Sequence, residues 1–421
     1  MNPPSLYFHD AGPEEAAEQA ATRLDRMQTE FRRGRPVVME AADPAAPAVM
    51  LAAVETLSAA RLQSLVPALV PSIRPSAAMP RLLLTPERLR SIGWSEASGA
   101  CSLLLGTPIG LEQVQRLAAV LPGASTTIKA ADLIGAQTAT PAQAGALALT
   151  KRARLVPALL VWQLRAAALP GLRQAEVMRV LETDLIAAAR PKPGAAPDLI
   201  RVSDARLPIA ACDDCTLVLF REPHGDAEHV AIVVGQPDLS QPVPVRLHSA
   251  CLTGDLLGSL RCDCGDQLRL GIERLAQTGG VLLYLSQEGR GTGLANKLRA
   301  YRLQDAGLDT IDADRYLGFS ADERDFGPAV AMLKQLGISR IQLLTNNPHK
   351  IDFMRRGGLD VVGRVALLAP VNPFNARYVQ TKHERAGHFV LAPSPHAARD
   401  PASVMMVGAE AADAGPPRPA A

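Results

Sequence analysis

Three of the chain's six cysteines, Cys251, Cys262 and Cys264, fall within fourteen of its 421 residues, in "HSACLTGDLLGSLRCDCGDQL". Their spacing is C-x10-C-x-C. Three thiolates would fill three of zinc's four tetrahedral positions and leave the last to water, which the metal then acidifies into a nucleophile. No fourth cysteine follows nearby, which favours an open catalytic site over a closed structural one. Two alternatives stay open on spacing alone: three unrelated buried cysteines, or closure of the site by His248 as a fourth ligand. A separate "CDDC" at 212–215 has no partner pair at zinc-ribbon spacing and runs straight into a strand, so it reads as a turn.

Three further stretches carry polar groups where chemistry is done. "QEGRGTG" (287–293) follows a buried strand and precedes a helix, so its glycines let backbone amides approach an anion, with Arg290 and Lys297 adding charge. It is neither a Walker A loop nor a dinucleotide fingerprint. "SADERDF" (320–326) has four consecutive charges, Asp322 to Asp325. Such a run is either a solvated turn or a carboxylate and guanidinium set beside a phosphate. "TNNPHK" (345–350) ends the strand "RIQLLT", and ligands gather at strand C-termini in open α/β sheets.

The elements that must position these groups are legible in outline. In the second half "CTLVLFRE", "HVAIVVGQ" and "VPVRLHS" read as successive strands, "DQLRLGIERLAQTG" as a helix with a glycine stop, and "GVLLYLSQ" as a buried strand. "GLANKLRAYRLQDAG" reads as a strongly amphipathic helix, and "PAVAMLKQLG" as a helix leading into "RIQLLT". In the first half, residues 12–33 are helical, "PVVM" is a short strand, and an Ala-rich region to about Leu69 is helix-prone. "RLLLTPERLRSIG" gives a strand, a Thr-Pro helix start and a short helix; "TPAQAGALALTKRARLVPALLVWQL" gives a helix, then a strand. The Pro-, Gly- and Ala-rich "ARPKPGAAPDL" (189–199) is the candidate linker, and the end from about Pro393 is expected to fray. The fold class is therefore α/β, mixed with α+β character, in two domains.

Composition narrows the function classes. Hydrophobic content of 48% with 20% charged residues is globular, and a net charge of +2 with 4% aromatics gives no footing for nucleic acid. The longest apolar run, about ten residues around Pro44 to Val54, is too short to span a membrane. The start, "MNPPSLYFHDAGPEE", has no signal-peptide core, so a cytoplasmic protein with reduced thiols is expected.

Taken together, "VRLHSACLTGDLLGSLRCDCGDQL", "SQEGRGTGLANKLRAYRLQDAGLDT", "LGFSADERDF" and "LLTNNPHK" closely resemble GTP cyclohydrolase II, over roughly residues 200–392. The resemblance implies an enzyme of the first step of riboflavin synthesis. It opens the imidazole ring of GTP, releases formate and pyrophosphate, and leaves 2,5-diamino-6-(5-phosphoribosylamino)pyrimidin-4-one. By that likeness Cys251, Cys262 and Cys264 hold one zinc per chain, whose water attacks C8 of the purine. Arg324 falls on the family nucleophile that attacks the α-phosphate, Asp322 on its general base, and Tyr301 on the tyrosine near the ring-opening chemistry. GTP contacts fall on Arg246, Leu247, His248, Ser249, Ala250, Gln267, Glu288, Gly289, Arg290, Thr310, Thr345 and Lys350. Magnesium with the triphosphate and a homodimer are also implied. Two positions depart from the family pattern: Ala250 stands where a glutamate is usual, and Ser286 where a basic residue often is. Ala250 keeps alive a paralogue that opens another nucleotide or pyrimidine, as in uracil catabolism. A non-catalytic nucleotide-binding regulator is the reading from another class.

The first half resembles a worn 3,4-dihydroxy-2-butanone 4-phosphate synthase domain, through "GRPVVM", "LTPERLRSIG" and "ALALTKRARLVPALLV". That family's acidic, magnesium-binding loop here reads "MEAADPAAPAVM", with only Glu40 and Asp43, and its later Arg-x-Gly-His-Thr-Glu segment reads "ATPAQAG". The expected division is a degenerate, non-catalytic domain over 1–190, a GTP cyclohydrolase II domain over 200–393 and a flexible tail over 394–421.

Overall fold

Alternating apolar residues build two seven-stranded sheets, each with helices packed on it. A computed structural model describes residues 12–43, 45–69, 80–105, 110–121, 133–164, 171–172, 176–189 and 197–389. Most of the candidate linker and the whole 394–421 tail lie outside these residues.

In the first half the elements run α1 (Pro13–Arg32), β1 (Val37–Glu40), β2 (Val49–Ala53), α2 (Ala59–Leu69), β3 (Arg81–Leu84), α3 (Pro86–Ser91), β4 (Cys101–Leu105), α4 (Leu111–Leu117), β5 (Leu133–Thr138), α5 (Pro141–Arg152), β6 (Ala158–Gln163), β7 (Arg179–Leu181) and α6 (Glu182–Ala189). The strands form a sheet of order β5-β4-β3-β6-β2-β1-β7, antiparallel except for the β1–β7 pair. Successive side chains face opposite ways, so Val38, Met50 and Leu82 enter one core while Val37, Leu51 and Leu83 enter another. The Ala-rich region is not wholly helical: "VMLAA" is β2, paired to both β1 and β6. Pairing on both sides outweighs the helix preference of its alanines. Thr85 caps α3 by accepting a bond from the Arg88 amide, and Thr140 with Gln143 forms a capping box on α5.

The second half runs β8 (Ile200–Arg206), β9 (Cys215–Arg221), β10 (Glu228–Val234), β11 (Val243–Ser249), α7 (Cys264–Thr278), β12 (Gly280–Leu285), α8 (Leu294–Asp305), α9 (Thr310–Tyr316), α10 (Gly327–Gln335), β13 (Arg340–Leu344), α11 (Pro348–Arg356), β14 (Asp360–Val365) and α12 (Ala376–Ala386). The sheet order is β14-β13-β11-β12-β10-β9-β8. From β14 to β12 the pairing is parallel; from β12 to β8 it is antiparallel. The expected strands and helices are present, but β8, exposed along its whole length, carries no apolar pattern by which to read it. α8 also lacks the amphipathic core stripe its sequence suggests. Only Asn296 and Ala300 are buried on it, and Leu298 is half exposed. Among the described residues no helix is long and apolar enough to cross a membrane.

Candidate active site

Parallel strands end on the same edge of a sheet, so their trailing loops meet there. Here β11, flanked by β12 and β13, delivers Ser249, Ala250 and Cys251; β12 delivers the 286–293 turn; β13 delivers Thr345 to Lys350. With α8, α12 and the 320–326 loop they enclose a cavity of about 240 Å³.

The three cysteines converge on this cavity. Their sulfur atoms all lie within 4.8 Å of one another, and no other cysteine, histidine or carboxylate joins them among the described residues. Cys251 precedes a single wide helical turn, Leu252–Leu256, and Cys264 begins α7. Gly254 lies beneath the cluster: a Cβ there would sit 3.0 Å from Cys251 Sγ and 3.1 Å from Cys262 Sγ. Lys297 Nζ reaches Cys251 Sγ at 3.0 Å, Thr253 Oγ1 at 2.8 Å and Glu288 Oε1 at 2.9 Å. Bonds from the neighbouring thiols, with that ammonium, hold the Cys251 thiol far below its ordinary range, while Cys262 and Cys264 are pushed up. Burial opposes the charge on Lys297, but its bonds to Cys251 and Glu288 keep its pKa raised. Three soft donors with one thiolate held by a cation suit zinc.

His248 does not close the site. Its Nε2 lies 3.1 Å from both carboxylate oxygens of Asp255, and its ring stacks on Tyr284. Asp255 also accepts from the Cys251 amide at 2.9 Å and from the Tyr284 hydroxyl at 3.0 Å. One carboxylate thus fixes the entry to the first cysteine. Burial lowers the His248 pKa, so the ring is neutral at pH 7. Arg261 stacks over the Tyr301 ring at 4.5 Å, and burial raises the Tyr301 pKa, which keeps its hydroxyl protonated as a donor.

The remaining wall is cationic. Arg246, Arg261, Arg290, Lys297, Arg324, Lys350, Lys382 and Arg385 line the cavity against three carboxylates, Glu288, Asp314 and Asp322. Each carboxylate is paired: Glu288 with Lys297, Asp314 with Arg290 at 3.4 Å, and Asp322 with Arg324 through contacts of 2.8 and 2.6 Å. Lys350 is buried, faces Arg246 and Arg324, and its pKa falls well below the lysine range. Burial also lowers Arg246 to about 10 and raises Asp314 to about 7. Crowded, poorly hydrated cations of this kind are relieved by a bound polyanion. Arg290 adopts φ +61°, a left-handed conformation that non-glycine residues rarely take outside functional turns.

Residues 200–366 match the family model for GTP cyclohydrolase II. The GTP cyclohydrolase-2 of Azospirillum brasilense is 39% identical over 392 residues, covering 90% of this chain and 98% of the relative. The chain belongs to the GTP cyclohydrolase II family. That of Xylella fastidiosa strain 9a5c is 38% identical over 390 residues, 92% of this chain and 91% of the relative. That of Proteus mirabilis is 49% identical over 194 residues, which are 46% of this chain but 97% of the relative, so some family members are about half as long. A solved two-domain 3,4-dihydroxy-2-butanone 4-phosphate synthase from A. baumannii aligns over 83% of this chain and 100% of its own, at 16% identity and a TM-score of 0.28. So low a score carries no argument about fold.

Most residues that the sequence nominates for GTP cyclohydrolase II chemistry meet in the cavity. Arg246, His248, Ser249, Ala250, Gln267, Glu288, Gly289, Arg290, Tyr301, Thr310, Asp322, Arg324, Thr345 and Lys350 line it with the three cysteines. Leu247 does not: alternation along β11 turns its side chain into the hydrophobic core, and only its carbonyl takes part, accepting from Lys350 Nζ at 2.8 Å. "CDDC" is a turn, with Cys215 buried at the head of β9. Sequence reading misses Asp255, Tyr378 and Lys382. Lys382, on α12, bonds Asp263 at 2.8 Å, and Asp263 holds Gln267 at 2.6 Å, so the chain's last described helix shapes the cavity. The sequence signal for α12, "ARYVQTKHERA", is only a charged helical segment.

Proposed function

We propose that this chain opens the imidazole ring of GTP hydrolytically as the first step of riboflavin synthesis. The products are formate, pyrophosphate and 2,5-diamino-6-(5-phosphoribosylamino)pyrimidin-4-one. The observation that carries this reading is one cavity in which a three-cysteine cluster shares its walls with a cluster of cations. Cys251, Cys262 and Cys264 would hold one zinc, which when bound supplies Lewis acidity at a position the protein leaves open. Tyr301 donates a proton or hydrogen bond to the opening ring. Asp322, already on the Arg324 guanidinium, accepts its proton as an Arg324 nitrogen forms a bond to the α-phosphorus and pyrophosphate leaves; water then cleaves that N–P bond, which restores Arg324 and leaves the 5'-phosphate on the product. Burial opposes the Arg324 charge and the Asp322 pair restores it, so that proton must leave during the attack, not before it. Arg246, Gln267, Arg290, Thr345 and Lys350 bind the nucleotide, with Ser249, Ala250, Glu288, Gly289 and Thr310 completing the walls. Every cavity carboxylate is paired, so magnesium arrives with the triphosphate and not on a protein cage.

Tyr301→Phe separates the two chemistries. Formate release should fall by roughly 10²- to 10⁴-fold, the usual weight of a positioned proton donor, while pyrophosphate release stays near normal. Parallel loss of both would remove Tyr301 from the ring-opening step.

We take residues 1–190 as a non-catalytic domain and 200–393 as the enzyme, acting in the cytoplasm. A homodimer fits the exposed leucines beside the site, Leu256, Leu257 and Leu260. In the N-terminal domain Glu40 is engaged by Arg179 at 2.7 Å, Asp43 caps its own turn at the Ala45 amide, and "ATPAQAG" is the capped start of α5. Glu40 is thus committed to Arg179, and one remaining loop carboxylate is a poor magnesium site. Ribulose 5-phosphate with magnesium should therefore yield no 3,4-dihydroxy-2-butanone 4-phosphate. Its formation at enzymatic rates, lost when Glu40 and Asp43 are both replaced, would contradict this assignment.

A further inference from the structure

We propose that Lys151, in the N-terminal half, is a positioning residue for the reaction: it fixes Glu323 and, through it, the Asp322–Arg324 pair. This rests on the function proposed above. Residues 319–326 have no regular secondary structure, so the pair depends on outside contacts for its place. One contact comes from the last turn of α5, where Lys151 Nζ lies 2.6 Å from Glu323 Oε1. Both side chains are about four-fifths buried, so the pair is screened less than a surface ion pair. The same Glu323 oxygen accepts from the Ser320 amide at 2.6 Å and closes the 320–323 turn. The Glu323 amide in turn donates to the Arg290 carbonyl at 3.2 Å. The loop passes Gly291 so closely that a Cβ there would lie 2.6 Å from the Glu323 carbonyl oxygen.

The entry to the loop is also held from the N-terminal half. Thr85 Oγ1 donates to the Gly318 carbonyl at 2.8 Å, and Arg88 Nη1 to that of Tyr316 at 2.9 Å. Three residues past Lys151, Arg154 takes φ +62°, donates to the Ser286 carbonyl at 2.9 Å, and accepts from Asn296 Nδ2 at 3.0 Å. One end of α5 therefore grips both the Arg324 loop and the turn on which it rests. Without the Lys151 ammonium, Glu323 becomes an unpaired carboxylate next to Asp322. It then competes for cations that line the cavity, and the loop shifts. A displacement of about 1 Å in a reacting group can cost about 10²-fold in rate with the fold intact.

The test uses the full chain with GTP, following pyrophosphate and formate separately, with zinc content and unfolding midpoint as controls. Lys151→Ala should lower kcat for pyrophosphate release by roughly 10- to 100-fold with KM changed no more than about threefold and zinc unchanged. Lys151→Arg should keep most of the rate. A kcat for Lys151→Ala within about twofold of the unaltered chain, where a misplaced reacting group predicts far more, would overturn the proposal. So would a loss that follows zinc content, or an equal loss in Lys151→Arg. An unaltered chain that fails to turn over GTP would overturn the proposed function and this inference with it. Normal turnover in both chains overturns the inference alone.

Discussion

Cys262→Ser is expected to lose both its zinc and its ring-opening activity. Cys262 is buried, its sulfur sits 3.7 Å from Cys251 Sγ, and among the described residues no fourth donor stands by to replace it. A serine hydroxyl is a harder and poorer zinc donor than thiolate. Changing a partner of a metal ligand already costs about 10- to 100-fold in metal affinity or activity, so loss of a ligand should exceed ~100-fold. Zinc content by metal analysis and formate release are the two readouts. Full metal content after replacement of all three cysteines would show that they do not hold the zinc. The unaltered chain should carry about one zinc, as a single three-ligand centre requires.

Arg324→Ala is the second large effect. The guanidinium lies in the cavity wall, bound to Asp322 through both its backbone amide and its side chain. If its nitrogen carries the nucleotidyl group, removal should cut pyrophosphate release roughly 10³-fold or more, as loss of a covalent nucleophile does elsewhere. Zinc content should not change, because the cysteines are held by Asp255, Gly254 and Lys297 and not by this loop. Unchanged turnover would remove the covalent step from the account.

What could be read in the sequence follows from how local each signal is. The C-x10-C-x-C spacing, the glycine-rich turn after a buried strand and the polar turn after "RIQLLT" are contiguous, and each meets the cavity. Strand β2 hides among alanines because its pairing partners, β1 and β6, are what make it a strand. Asp255 reads as filler between two cysteines, and its role appears only when β11 and β12 bring His248 and Tyr284 to it. Lys382 is 119 residues from Asp263, and Lys151 is 172 from Glu323; no local pattern announces such pairs. The charged run at 322–325 divides along the same line. Its residue types suggest phosphate chemistry or a solvated turn, and only the fold turns Arg324 inward, with 13% of its side chain exposed.

The most direct test of the central claim is turnover of GTP by the purified full chain, followed for formate and for the diaminopyrimidinone phosphate. UTP, ATP and uracil would be assayed beside it, because Ala250 lines the cavity where the family usually places a glutamate. Formate and pyrimidine product from GTP, with little or none from the other three, is the result expected. Release of neither from GTP by zinc-loaded protein, or faster opening of one of the alternatives, would contradict it.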